Sequence, residues 1–155
     1  MRYTMQIDSP IGPLLLTADE NAILLVERKT AAGQTHPSPL LEKACAALQR
    51  YFAGEREDFD LPLAPEGTPF QQEVWRILRQ TPYGQTTTYG EIARIIAAER
   101  GGRMSAQAVG GAVGKNPILI MIPCHRVLGS TGALTGFREG LENKEILLRR
   151  EGILP

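Results

Sequence analysis

The chain has 155 residues, a formal net charge of zero and an apolar share of 43%, which suits one or two small globular domains and excludes wholesale disorder. No apolar run approaches the roughly 18 residues that cross a bilayer, and the first residues lack the apolar core and cleavage site of a signal peptide. The two cysteines, Cys45 and Cys124, cannot build a disulfide framework, and four-ligand zinc spacing is absent, so a cytoplasmic, metal-free protein is the expectation.

The zero sum hides a polarity. Residues 1–70 carry six Lys/Arg against ten Asp/Glu, whereas residues 71–155 carry eleven against seven. Within 94–138, Arg94, Arg100, Arg103, Lys115, Arg126 and Arg138 stand against Glu99 alone. Such an excess is the field an anionic polymer would meet, although charge by itself is more simply read as a solvated face.

Three short apolar runs, Tyr3–Ile7, Pro13–Thr17 and Ala22–Glu27, are separated by turn residues and predict an antiparallel meander. Ser38 and Pro39 then cap and open a helix whose apolar stripe is Leu41, Ala44, Cys45, Leu48 and Phe52, with Gly54 as its stop. Cys45 reads as core packing on that stripe. The acidic, proline-containing stretch 55–67 predicts a linker, giving an N-terminal domain over 1–54 and a second domain over 68–155.

The second domain is mostly helical. Thr68-Pro69-Phe70-Gln71 is a capping box, and Phe70, Val74, Ile77 and Leu78 form the buried stripe of the helix it starts. Thr81-Pro82-Tyr83-Gly84 ends that helix. Thr88-Tyr89-Gly90-Glu91 predicts a second capping box, followed by Ile92, Ile95 and Ile96 facing inward. After Gly101-Gly102, Ser105 caps a third helix that ends at Gly114. Two short helices joined by a glycine-containing turn and flanked by Arg103 and Lys115 form a candidate helix-turn-helix, a weak signal taken alone.

Residues 116–127 carry the chemistry. Five apolar residues, Ile118 to Ile122, are closed by Pro123, after which Cys124, His125 and Arg126 bring a thiol, an imidazole and a guanidinium in succession. Nearby positive charge or a base makes a cysteine nucleophilic by favouring its thiolate, and a short helix N-terminus would add to that effect. A buried structural cysteine at a strand end explains a lone Cys-His pair equally well. A papain-like hydrolase fits poorly, because sequence neighbours usually point apart and the other histidine, His36, lies in a distant loop.

Pro123-Cys124-His125-Arg126-Val127, with Asn116-Pro117 upstream, resembles the acceptor motif of the O6-alkylguanine-DNA alkyltransferases, the methylated-DNA–protein-cysteine methyltransferase family. Pro82-Tyr83-Gly84, Thr88-Tyr89-Gly90-Glu91-Ile92-Ala93, Ala108-Val109-Gly110-Gly111-Ala112, Lys144-Glu145 and Glu151-Gly152 follow the family's order and spacing. The resemblance is strong over 67–153 and weaker over 1–54. It implies a two-domain α/β fold: a ribonuclease-H-like N-terminal sheet with a helix, then a winged-helix-like domain with a helix-turn-helix. It also implies a stoichiometric repair protein that binds double-stranded DNA in the minor groove, flips the damaged guanine out of the stack and takes its O6-alkyl group onto Cys124. Extrusion is physically required, since the O6 substituent inside a duplex is out of a thiol's reach.

By the matching positions, His125 would act as a base through a water and Glu151 would orient it, the triad logic with a solvent link inserted. Asn116 would be the hinge between recognition helix and acceptor segment. Tyr89 would help turn the nucleotide and bond the base. Ala106, Gln107, Ala108 and Arg126 would meet DNA. Val127 and Arg138 would line the pocket with backbone groups, and Leu134 and Phe137 would wall it. No cofactor is implied, no metal and no membrane, and the protein is expected to act as a monomer. Two residues depart from the family pattern: Gln107 stands where an arginine usually fills the gap left by the flipped base, and Phe137 stands where many members have tyrosine. A lesion-binding protein that does not transfer is the alternative function, which Gln107 favours slightly and Cys124 opposes.

Overall fold

The alternation of apolar runs and turn residues near the N-terminus produces a three-stranded antiparallel sheet in the computed structural model, which describes all 155 residues. Strands β1 (Tyr3–Ile7), β2 (Leu14–Ala18) and β3 (Ile23–Arg28) lie in that spatial order, with Met5 opposite Leu16 and Leu16 opposite Val26. Helix α1 (Pro39–Phe52) packs against β1 and β2, its first turn closed by Ser38 Oγ accepting from Leu41 N at 3.2 Å. Its buried stripe runs Leu41, Ala44, Cys45, Ala47, Leu48 and Tyr51. The sequence reading ended that stripe on Phe52. The structure ends it on Tyr51, three residues after Leu48, and leaves Phe52 half-buried.

The expected linker is tied down rather than loose. Ile23 N donates to the Pro62 carbonyl at 2.9 Å and Ala64 N to the Ile23 carbonyl at 2.8 Å, so residues 62–64 run along the outer edge of β3. Residues 117–119, just ahead of Cys124, cover the next part of the same edge: Val26 N donates to Pro117 O at 3.0 Å and Leu119 N to Val26 O at 3.1 Å. An edge that would otherwise display unpaired backbone groups is thus used to join the two halves. One hydrophobic core, from Ile7 through Trp75 to Leu147, runs continuously through both.

The helices of the second half are α2 (Pro69–Arg79), α3 (Tyr89–Arg100), α4 (Ala106–Val113) and α5 (Leu141–Arg150). At α2 the capping box is complete, with Thr68 Oγ1 accepting from Gln71 N and Gln71 Oε1 accepting from Thr68 N. At α3 only half of the expected box forms. Thr88 Oγ1 accepts from Glu91 N at 3.1 Å, but the Glu91 carboxylate turns away to pair with Arg94, a cation one helical turn on. Gly101, at φ 72°, ends α3 in the left-handed region that glycine tolerates. Helices α3 and α4 pack on each other as the helix-turn-helix pair, with α2 behind α4. Trp75 of α2 is buried and its indole N–H donates to the Ala112 carbonyl of α4 at 2.9 Å. A two-residue parallel ladder joins β4 (Thr87–Thr88) to β5 (Val127–Leu128), bringing the start of α3 beside the segment that follows Cys124.

Candidate active site

The apolar run before Cys124 is not a strand. Residues 118–123 form tight turns, with Ile120 at φ 71° and Met121 N bonded to Leu119 O at 2.7 Å. Asn116 makes this path possible: its Nδ2 donates to the Ile122 carbonyl at 2.7 Å and its Oδ1 accepts from Ile118 N at 3.0 Å. Both ends of the loop therefore hang on one buried amide, and Cys124 emerges at the first position of a single 3₁₀ turn, Cys124–Arg126.

Cys124 lies on the wall of a cavity of about 360 Å³ together with Tyr89 at the start of α3, Gly110 and Val113 of α4, Asn116 and Phe137. Gly110 faces the Tyr89 ring across the cavity wall, where an added Cβ would come into ordinary van der Waals contact at 3.7 Å. Burial pushes the Cys124 thiol upward, opposed by the Asn116 side chain and by the charges of Arg138 and Lys144. The thiol is therefore protonated near neutrality, and forming the thiolate requires a base. Cys45 is a different case: burial, with Glu42 adding to it, pushes its thiol to about 11 inside the core against the sheet.

His125 and Arg126 both reach Glu151 at the C-terminal end of α5. His125 Nε2 lies 2.5 Å from Glu151 Oε2, and Arg126 Nε donates to Oε1 at 2.8 Å. Gly84 N also donates to Oε1, at 3.0 Å, and the Tyr51 hydroxyl donates to Oε2 at 2.7 Å. Burial pushes the Glu151 carboxyl up, but its hydrogen bonds to His125 and Arg126, the Arg126 charge, and the His125 charge that appears once acid protonates the ring outweigh this and hold it at about 2. Burial pushes His125 down, keeping the imidazole neutral against the pull of Glu151. With Nε2–H committed to the carboxylate, Nδ1 carries the lone pair, and this buried atom has no hydrogen-bond partner within the protein.

The structure sorts the remaining expected residues. Ala106, Gln107 and Ala108 stand exposed on the first turn of α4, outside the cavity. Arg126 offers no free cation to DNA, because its side chain is buried on Glu151 and on the Thr81 carbonyl. The Arg138 guanidinium is bound to the carbonyls of Gly114 and Asn116, at 3.2 and 2.9 Å, where it ties the 129–138 loop to the end of α4. Val127 is buried, and its carbonyl accepts from the Lys144 ammonium at 2.5 Å rather than facing the cavity. Phe137 lines the cavity, whereas Leu134 is half-buried elsewhere on the loop.

Sequence reasoning missed two residues. Lys144 is fully buried and also bonds the Thr135 carbonyl at 3.0 Å, so one ammonium holds both the acceptor strand and the loop. A lysine on the inner stripe of a helix was the available signal, since lysine is almost never fully buried without partners. Tyr51 gave no signal, because an aromatic on an apolar stripe reads as packing.

The polarity of 94–138 is also resolved. Arg94 and Arg100 pair with Glu91 and Glu73, and Arg126 is internal. Arg103 and Lys115 make no ion pair and flank the two ends of α4. The free positive charge therefore sits at the helix-turn-helix.

Family models for the 6-O-methylguanine DNA methyltransferase match the chain twice: the ribonuclease-like domain over residues 1–65 and the DNA binding domain over residues 69–153. The chain is 45% identical to a methylated-DNA–protein-cysteine methyltransferase of Methanosarcina acetivorans, covering 97% of this chain and 98% of that protein. It is 44% identical to the protein so named from Haemophilus influenzae, covering 97% and 87%. Among solved structures, the O6-methylguanine methyltransferase of Mycobacterium tuberculosis superposes with a TM-score of 0.83 at 41% identity, covering all of this chain and 96% of that one. The M. tuberculosis OGT in complex with DNA superposes with a TM-score of 0.81 at 43% identity, covering 97% and 93%. With an acceptor-type cysteine in a cavity beneath a helix-turn-helix and both domain models matched in order, the chain belongs to the 6-O-methylguanine DNA methyltransferase family.

Proposed function

We propose that the protein repairs O6-alkylguanine in double-stranded DNA by transferring the alkyl group, once per molecule, to Cys124. The observation that carries this reading is the cavity of about 360 Å³ in which the Cys124 thiol meets Tyr89 and the inner face of α4. It is large enough for an extruded base and lies on the side of the molecule where Arg103 and Lys115 are free to meet phosphates. Helix α4 enters the minor groove with Ala106, Gln107 and Ala108 foremost, and Gln107 occupies the space the damaged nucleotide vacates.

In the transfer, the sulfur attacks the sp³ carbon of the alkyl group in line with the departing oxygen. A C–S bond forms, the C–O bond breaks, and its electron pair stays on the guanine, which is restored once it gains a proton. The thiol proton passes to His125 Nδ1 through a bridging water, and Glu151 stabilises the imidazolium that results. Tyr89 and the backbone N–H of Arg138 stabilise the leaving guanine. Since the thioether has no route back to a thiol here, the protein is consumed by one event.

Intact mass after incubation with an O6-methylguanine oligonucleotide tests the proposal. The expected result is one methyl group on Cys124, saturating at one per chain. Binding of the oligonucleotide with no gain in mass would instead establish a lesion-binding protein.

A further inference from the structure

We propose that Tyr51, supplied by the N-terminal half, is a positioning residue for alkyl transfer: its hydroxyl fixes and tempers the Glu151 carboxylate that holds His125. The inference rests on the reading of His125 and Glu151 as the relay behind Cys124, and it gives the N-terminal domain a part in the chemistry.

Tyr51 closes the buried stripe of α1 and is fully buried. Its ring is fixed edge-on by Phe52 and Tyr83, at centroid distances of 5.2 and 6.1 Å, and tilted against Phe59 at 5.7 Å. The hydroxyl so placed donates to Glu151 Oε2 at 2.7 Å, the oxygen that also receives His125 Nε2. It lies 3.5 Å from that nitrogen, at the limit of direct contact. A carboxylate offers about four acceptor positions. Here all four are used: Arg126 and Gly84 on Oε1, His125 and Tyr51 on Oε2. Tyr51 is the one donor that comes from the other half of the chain.

A phenol that only filled space would not need to aim its hydroxyl at a buried carboxylate. Aimed there, it does two things. It stops the carboxylate from rotating about its own axis, which would swing Oε2 off the imidazole. It also draws charge from Oε2, so that Glu151 pulls less strongly on the His125 proton and leaves the imidazole neutral, with Nδ1 free to accept. The other charged or titratable groups around this pair are Arg126, Lys144 and Tyr83, and a change confined to the Tyr51 hydroxyl leaves them in place.

The test is the single-turnover rate of methyl transfer from an O6-methylguanine oligonucleotide as a function of pH, for the full chain and four variants. Tyr51→Phe keeps the ring and removes the hydroxyl. It should slow transfer about three- to tenfold and move the acid limb of the profile to higher pH by up to about one unit. Phe52→Leu, which disturbs the same aromatic cluster but spares the hydroxyl, should leave the limb in place. His125→Gln and Glu151→Gln should both be strongly slowed. If Tyr51→Phe matches the parent in rate and profile while the His125 and Glu151 variants are slow, the Tyr51 inference falls and the relay stands. If Phe52→Leu reproduces the shift, ring packing sets it and the inference also falls. Full activity in His125→Gln would overturn the relay itself. The unmodified protein gives a check that does not depend on any variant folding. Its Tyr51 hydroxyl proton should be observable by NMR, protected from exchange with water, and rapid exchange would contradict the hydrogen bond to Glu151.

Discussion

Arg126 Nε donates to Glu151 Oε1 at 2.8 Å with both side chains buried, so the cation beside the acceptor cysteine in sequence is spent on the carboxylate behind it. The pair turns Glu151 from a helix-end charge into a fixed anion and binds the end of α5 to the acceptor segment.

Removing one member of a buried pair leaves the other uncompensated. Arg126→Ala should therefore destabilise the protein by about 3–5 kcal/mol, read from the urea midpoint. Arg126→Lys should recover only part of this, because an ammonium cannot reach Glu151 and the Thr81 carbonyl together in the same fork geometry.

Stability should fall on acidification in two stages. His125 is held below its ordinary 6.5 in the native state, so below that pH the unfolded chain takes a proton the native chain refuses. Glu151 is held at about 2 against an ordinary 4.5, so its contribution is complete above 4.5 and is lost as pH falls toward 2. Urea unfolding at pH 7.5, 5.5 and 3.5 measures both, and Glu151→Gln should remove the lower stage.

Gly67 owes its identity to a neighbour and not to its backbone angle. A Cβ at this position would lie 2.4 Å from the Trp75 ring. Gly67→Ala must displace the indole that bonds the Ala112 carbonyl of α4, at a cost of about 1–3 kcal/mol. A change in the emission of this single tryptophan, alongside a lowered unfolding midpoint, would report it.

Gln107→Arg adds a cation and a stacking plane on the exposed first turn of α4. Duplex affinity and the rate of repair should both rise, and the slope of log K against log salt should steepen by about one. Unchanged affinity and rate would show that position 107 limits neither step.

The local architecture was legible because it depends on residues near in sequence. Ser38, Thr68 and Ser105 cap the helices they precede, and Gly101 ends α3, through bonds that span only three or four positions. The half-formed box at Thr88 failed for an equally local reason, since Arg94 competes for Glu91. The apolar run before Cys124 shows the opposite limit, because nothing local in it foretells its turns. Asn116 bonds both ends of the 118–122 segment, and that tether favours turns over extended chain despite five apolar residues in a row.

Sequence by itself determined the order of elements, the separation of an acidic half from a basic one, and the family to which the Pro123–Val127 motif points. The same motif singles out Cys124 as the candidate acceptor, and the helical stripe marks Cys45 as packing. Only the tertiary structure decided which way each group faces. It sent Arg126 inward to Glu151, left Arg103 and Lys115 as the free cations beside α4, and brought Tyr51 across 100 residues to the same carboxylate. The reason is physical. Helix caps and strand alternation arise from bonds a few residues long, whereas a buried carboxylate must collect donors from whatever segments fold around it, and no local pattern records which ones they are.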